Sequence, residues 1–213
     1  PIYLSPIEQG YWFTFASIAA LAVFADLGFS NIILQFAAHE FAFLSFNSFS
    51  IIEGDKEHLY KLASFFRFSI KWLFKIVAII FPFIIVGGYL FLNSKNNFLN
   101  WEIPWVIYSI CSAVVFINTI ILSFFEGCNS VRTIQLIKLR ISFNSTICAV
   151  ACLYFGMELY ALSTSLIVSS LTGIYFIYKY FRRTIIQLWN ISKISSYNWK
   201  EQFLSLIWRY AIS

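Results

Sequence analysis

Charged residues in this chain stand in groups separated by long uncharged runs, and this pattern constrains the fold more than any other feature. Four runs contain no charge at all, namely 76–94, 103–125, 141–157 and 159–178. Each approaches the roughly 20 residues that an apolar helix needs to cross about 30 Å of hydrocarbon. Because 60% of the residues are hydrophobic and only 12% are charged, the composition also lies outside the range of soluble domains. The chain is therefore predicted to be a membrane protein.

The uncharged runs are predicted to be helices. Backbone polar groups in lipid are satisfied only in helices or closed barrels, and the runs lack the alternation of barrel strands. We predict one membrane domain over residues 1–213, an all-α polytopic transmembrane bundle with five complete spans and the start of a sixth. The predicted spans cover approximately 11–38, 72–93, 103–125, 136–156 and 159–178, and the partial one covers 203–213.

Both ends of the sequence are abrupt. Residues 203–213 begin a span that stops with the chain, and Pro1 is not an initiator methionine. The sequence is therefore expected to be a piece of a longer protein.

Lysines and arginines predict the orientation of the helices in the membrane. Thirteen of them lie in three connections, at Lys56, Lys61, Arg67, Lys71, Lys75, Arg132, Lys138, Arg140, Lys179, Arg182, Arg183, Lys193 and Lys200. Because cytoplasmic connections carry the excess of basic residues, these three are predicted to face the cytoplasm, and 1–8, 93–102 and 156–160 the outside. The net charge of +5 is thus a signal of topology, and no nucleic-acid partner is needed to explain it.

Motifs of enzymes and cofactor sites are missing from the sequence. It contains no Gly-rich phosphate loop and no Gly-x-Ser-x-Gly elbow. His39 and His58 have no ligand partner at the spacing of a zinc site, and Cys148 and Cys152 fit small packing residues on one helical face. We predict a protein that is not an enzyme and that binds no metal or cofactor.

Ionisable groups near or within the spans mark a pathway for a polar substrate. Arg67, Lys71 and Lys75 are four residues apart, so they form one stripe at the start of the second span. Snorkelling of these cations to the headgroups is favoured over a stripe that faces a cavity. The same reasoning adds further candidates, which are the cations Arg132, Arg140 and Arg209 and the acid Glu126. For Glu126, a structural ion pair with Arg132 or Arg140 is favoured over a role in transport.

Asp26 is the one acidic or basic residue within 9–38. At 1.5 Å per residue this stretch would form about 45 Å of helix, longer than the bilayer core, so Asp26 is expected past the midpoint, toward the cytoplasm. An intramembrane carboxylate suits coupling to a proton or sodium gradient. A polar contact beside a close-packing Gly28 is the favoured interpretation, and ion coupling is the alternative.

Three groups of motifs follow one another along the chain. They are Leu4-Ser5-Pro6-Ile7-Glu8-Gln9-Gly10-Tyr11-Trp12 with Asp26-Leu27-Gly28, then Phe125-Glu126-Gly127-Cys128-Asn129-Ser130-Val131, then Trp199-Lys200-Glu201-Gln202 with Trp208-Arg209-Tyr210-Ala211-Ile212-Ser213. They resemble parts of polysaccharide flippases of the multidrug/oligosaccharidyl-lipid/polysaccharide exporter superfamily. The first group resembles the outer loop and second helix of these proteins, the second group the end of their fourth helix, and the third group the start of their seventh helix. The resemblance covers nearly the whole chain in order and orientation.

The resemblance implies one lobe of a transporter with twelve to fourteen helices, in which two six-helix lobes enclose a central cavity and work by alternating access. Flippases of this kind move undecaprenyl-pyrophosphate-linked oligosaccharides, such as O-antigen units of lipopolysaccharide, to the outer leaflet of the bacterial inner membrane. A proton or sodium gradient and membrane lipid are the other partners that it implies. The cations that would hold the phosphates are Arg209, Arg132, Arg140, Arg67, Lys71 and Lys75.

Other functions stay open at this point. A cation-coupled multidrug exporter of the same superfamily would depend more on carboxylates and aromatic residues than on basic residues. A membrane enzyme of glycan assembly, such as a polymerase, would need a long outward loop, and the outward loops predicted here are short. A scaffold lobe that transports nothing is a further alternative.

Overall fold

A computed structural model describes residues 4–26, 28–94, 100–194 and 199. Over these residues the chain forms six helices and one two-stranded hairpin, so the prediction of an all-α protein is confirmed but for that hairpin. In chain order the elements are α1 (Pro6–Asp26), α2 (Phe29–Phe41), β1 (Leu44–Phe46), β2 (Ile52–Gly54), α3 (Lys56–Asn93), α4 (Glu102–Gly127), α5 (Val131–Tyr154) and α6 (Tyr160–Ile191).

Four of the helices, α3 to α6, are long and apolar enough to cross a membrane. By length and composition this is the pattern of an integral membrane protein. The four helices contain or overlap the spans that the uncharged runs predict at 72–93, 103–125, 136–156 and 159–178. The total of five spans and the two-lobe arrangement stay predictions, and the partial span at 203–213 lies outside the described residues.

The first predicted span, 11–38, is not one helix, because the chain breaks between α1 and α2. Gly28 adopts the left-handed conformation with φ of 77°, which costs a glycine nothing and most other residues about 1 kcal/mol. No atom of the described residues lies within 4 Å of where a Cβ of Gly28 would stand, so the close packing predicted for this glycine is not seen among them. The Asp26 carboxylate caps α2 by accepting hydrogen bonds from the Ser30 amide, at 3.0 Å, and from the Ser30 hydroxyl.

The contacts divide the chain into two compact units, and the first comprises Pro1–Ala25, Ile76–Ile117 and Ile137–Ile174. Its core is aromatic and centres on Trp105, which is fully buried and meets the Phe15 ring at 5.1 Å between centroids. The Trp105 Nε1–H donates to the Ile85 carbonyl at 3.1 Å. A Cβ on Gly88 would stand 2.1 Å from the Trp105 ring, so the indole lies where only glycine leaves room.

The second unit comprises Asp26–Lys75, Asn118–Leu136 and Tyr175–Ser213. Here the end of α4 lies close against α2, because Gly127 carries no side chain. A Cβ at Gly127 would stand 2.3 Å from the Leu34 carbonyl oxygen and 2.9 Å from the Ala37 Cβ. The Phe125 and Phe181 rings stack at 4.0 Å between centroids, which joins α4 to α6 in the same unit.

The hairpin of β1 and β2 also belongs to the second unit, and α6 holds it in place. The Gln187 side-chain amide accepts from the Ile52 N–H at 2.8 Å and donates to the Ile52 carbonyl at 2.7 Å. The Thr184 hydroxyl donates to the Ser50 carbonyl at 2.7 Å. Within the turn, the Asn47 side-chain oxygen accepts two backbone N–H groups. Because an isolated two-stranded hairpin is marginal in water, α6 supplies much of its stability.

Candidate functional site

Positive charge is concentrated in the second unit. Of the twelve lysines and arginines in the described chain, ten belong to it, namely Lys56, Lys61, Arg67, Lys71, Lys75, Arg132, Lys179, Arg182, Arg183 and Lys193. The first unit holds the other two, Lys138 and Arg140. Among the described residues, the second unit therefore offers most of the cations that a phosphate site with several ligands would need.

Arg67 is the predicted site residue with the most enclosed position. Its side chain is half-buried, its Nη1 donates to the Ser192 carbonyl at 3.1 Å, and its guanidinium carbon lies 5.8 Å from the centre of the Trp189 ring. The Arg67 Nε is buried and has no hydrogen-bond partner among the described residues. A buried donor of this kind is costly unless an acceptor reaches it, so the position indicates more than a surface charge.

The other predicted cations are more open. Lys71 and Lys75 are exposed on α3, and their extension to the headgroups stays a prediction. Arg132 and Arg140 are exposed on α5, and Arg209 lies outside the described residues. Within the described chain, Arg67 is thus the one predicted cation that the structure places in a half-buried environment.

The two predicted acids both have hydrogen-bond partners on their own polypeptide. Glu126 accepts a hydrogen bond from the Gln135 Nε2 at 2.8 Å, a partner that the sequence did not reveal. The Asp26 carboxylate is engaged by Ser30 in capping α2. A carboxylate used in this way stabilises the helix start, and this supports the structural interpretation of Asp26. Its coupling to an ion stays a prediction.

A polar cluster joins the end of α2 to the start of α3. Glu40 is only 5% exposed, and its Oε2 lies 2.8 Å from the His58 Nδ1. Its Oε1 lies 3.3 Å from the His39 Nδ1, and the His58 ring stacks on Phe43 at 3.9 Å. Sequence reasoning considered both histidines only as metal ligands, and it missed the buried acid between them.

A pair of carboxyl groups lies at one end of the first unit. Ser5 and Glu8 form a capping box at the start of α1. The Glu8 carboxylate accepts a hydrogen bond from the Ser5 N–H at 2.6 Å, and the Glu8 N–H donates to the Ser5 hydroxyl at 3.3 Å. The negative charge of Glu8 raises the pKa of the Glu158 carboxyl, which lies in the turn before α6. The Ser-x-x-Glu spacing is the sequence signal that would have found the cap.

The structure also shows a basic cavity that sequence reasoning missed. We call it the basic recess; it has a volume of about 340 Å³ and lies between the hairpin turn and α6. Its lining residues are Ser48, Phe49, Ser50, Tyr178, Lys179, Tyr180, Arg182 and Arg183. From the sequence, Lys179, Arg182 and Arg183 served only to predict topology. The cavity was missed because the hairpin residues that complete it lie about 130 positions earlier in the chain.

Chemically, these sites can bind and orient charged groups. Arg67 offers a partly desolvated guanidinium, and the basic recess offers two more guanidinium groups and an ammonium group. Planar guanidinium groups bind phosphate oxygens in pairs and keep their charge at any physiological pH. Comparison of the chain with protein-family models, with curated proteins and with solved structures finds no match.

Proposed function

We propose that this chain is part of a flippase that moves undecaprenyl-pyrophosphate-linked oligosaccharides across the bacterial cytoplasmic membrane for the synthesis of surface polysaccharide. The observation that carries the proposal is Arg67, a half-buried arginine on a helix that is long and apolar enough to cross a membrane. Two further features support it. The cations are concentrated in one unit, and the motifs at 4–12, 26–28 and 125–131 resemble those of such flippases.

The physical problem that such a protein solves explains the need for cations. A pyrophosphate and its sugars do not cross hydrocarbon unaided, whereas the polyprenyl tail stays in lipid. A guanidinium that is shielded from water attracts phosphate more strongly than one on the surface, because the local dielectric is lower. Arg67 has this shielding, and its buried Nε–H has no partner among the described residues. Arg132, Arg140, Lys71 and Lys75 would contribute at longer range.

The proposal includes alternating access between two lobes and energy from a proton or sodium gradient. Both follow from the resemblance. The basic connections would face the cytoplasm, where the lipid-linked oligosaccharide is made.

Transport in reconstituted vesicles tests the proposal. The intact protein is placed in liposomes with an undecaprenyl-pyrophosphate oligosaccharide that carries a fluorescent sugar, and the fraction reached by an external quencher is followed in time. We expect the unaltered protein to speed this exchange and Arg67→Ala to slow it roughly ten- to hundredfold, since a charge-assisted hydrogen bond contributes about 1.5–3 kcal/mol.

Lys56→Ala serves as the matched control, because Lys56 is an exposed cation of the same helix. Equal rates for Arg67→Ala and the unaltered protein would remove Arg67 from the proposal. Transport of a cationic dye in the same vesicles, without movement of the lipid-linked sugar, would favour the multidrug exporter instead.

A further inference from the structure

The basic recess has an ordered wall on its hairpin side. Asn47 fixes the turn, because its side-chain oxygen accepts the N–H groups of Phe49 at 2.9 Å and Ile51 at 3.1 Å. Thr184 and Gln187 of α6 then bind the hairpin backbone at Ser50 and Ile52. The Ser48 and Ser50 hydroxyl groups are thereby kept beside the basic turn of α6.

The α6 side of the recess presents cations and tyrosines in alternation. The Arg182 guanidinium lies 5.0 Å from the centre of the Tyr178 ring, one turn away on the same helix. The Lys179 Nζ lies 5.7 Å from the Tyr175 ring centre and 5.8 Å from that of Tyr180. These contacts orient the cations without neutralising them, because a ring face is a weaker partner than a carboxylate.

The recess has a surplus of positive charge. It is lined by Lys179, Arg182 and Arg183, and no carboxylate lines it. Along the described ranges, these three cations form no salt bridge with an acid. The acid of the neighbouring strand, Glu53, accepts a hydrogen bond from the Asn47 side chain at 2.6 Å. An anionic ligand would therefore find the cations unneutralised by this part of the chain.

The position of the basic recess along α6 indicates that the anion is the phosphate of a membrane lipid. The uncharged run of this helix ends at residue 178, so the recess begins where the apolar span ends. Tyrosines flanked by lysine and arginine at such a boundary are typical of the headgroup level of a bilayer. The Phe49 side chain on the hairpin tip is 62% exposed and offers an apolar contact beside the cations. Lipid phosphate is concentrated at this level.

We propose that the basic recess binds the phosphate group of an anionic membrane lipid. Arg182 and Arg183 donate to the phosphate oxygens, Lys179 adds a third positive charge, and the Ser48 and Ser50 hydroxyl groups face the rest of the headgroup. The bound lipid bridges the hairpin and α6. This site is separate from the transport pathway proposed above and does not depend on it.

Lipid retention by the purified intact protein tests the inference. The protein is prepared in detergent with phosphatidylglycerol or phosphatidylcholine, and bound lipid is counted by native mass spectrometry. Each basic residue near an anionic lipid contributes about 1 kcal/mol, so Arg182→Gln combined with Arg183→Gln should weaken retention of phosphatidylglycerol about 30-fold. Lys56→Gln combined with Lys193→Gln removes the same charge from exposed positions outside the recess and should leave retention nearly unchanged.

Four results would overturn the inference. An equal loss in both double variants would mean that only general electrostatic attraction is at work, and no loss in either would mean that the recess binds no lipid. Displacement of phosphatidylglycerol by inorganic phosphate at equal concentration would identify a site for a free anion instead. If the arginine variant does not fold, the two lipids are compared on the unaltered protein. Equal retention of phosphatidylglycerol and phosphatidylcholine by that protein contradicts the proposal.

Discussion

Adjacent glycines of α3 provide a matched pair of substitutions with opposite expected effects. Gly88 is buried, and an added methyl group would overlap the Trp105 ring, whose nearest atom would lie 2.1 Å from the new Cβ. Gly87 is exposed, and no atom of the residues that the structure describes lies within 4 Å of the corresponding position. Gly88→Ala is therefore expected to force the indole to move, whereas Gly87→Ala adds a methyl group in open space.

The geometry gives the size of each effect. Displacement of Trp105 costs about 1–3 kcal/mol for overpacking, and the loss of its 3.1 Å hydrogen bond to the Ile85 carbonyl leaves a buried donor unpaired, at about 1–3 kcal/mol. The higher helix propensity of alanine returns about 1 kcal/mol. We expect Gly88→Ala to lower the free energy of unfolding by roughly 3 kcal/mol, and Gly87→Ala to raise it by about 0.5–1 kcal/mol.

Thermal unfolding in a mild detergent, followed by circular dichroism, measures both variants. A loss of roughly 3 kcal/mol corresponds to a fall in Tm of about 6–12 °C for a chain of this size. Tryptophan fluorescence should report a changed environment of the indole in Gly88→Ala and none in Gly87→Ala. If the two variants unfold at the same temperature, the close approach of Gly88 to Trp105 is not a feature of the folded protein.

Three further predictions concern polar contacts. Replacing Asp26 by Ala should lower the free energy of unfolding by about 1 kcal/mol through loss of the α2 cap, and Asp26→Asn, which keeps one acceptor, should lower it less; equal melting of both variants would contradict the cap. The pKa of Glu158 is higher in the folded protein than in the unfolded chain, because Glu8 repels the ionised form of Glu158. The folded state therefore keeps its full stability below the unfolded pKa, and it loses stability as pH rises through the raised folded pKa. Glu158→Gln should therefore raise Tm at pH 7 and leave it unchanged at pH 3, and an identical shift at both pH values would refute the repulsion. Gln187→Ala should speed hydrogen exchange at the Ile52 amide, since its acceptor is lost, and unchanged protection would show that the hairpin is anchored elsewhere.

The long helices could be predicted from the sequence because their signal is local. Each uncharged run contains its own evidence of length and apolarity, and α3 to α6 contain or overlap those runs. The break at Gly28 was missed because a single residue with positive φ does not disturb an apolar run. The three-residue strands of the hairpin were missed because they are too short for a periodic pattern.

The environments of the candidate residues could not be predicted, because they depend on contacts between distant segments. The sequence gives Arg67, Lys71 and Lys75 the same spacing, yet Arg67 alone of the three is half-buried, where its guanidinium meets the chain just after α6. The basic recess depends in the same way on a hairpin and a helix about 130 residues apart. By contrast, the Ser5–Glu8 capping box was legible from its spacing.

The anchoring of the hairpin also sets an order of events during synthesis. Gln187 follows Ile52 by 135 residues, so a ribosome that adds about 5–20 residues per second reaches it roughly 7–27 s later. For that time β1 and β2 have no anchor from α6, and their edges are open to other strands. Translation of α6 is therefore the step that anchors the hairpin, and a nascent chain that stalls before Thr184 would display an unprotected hairpin at the membrane surface.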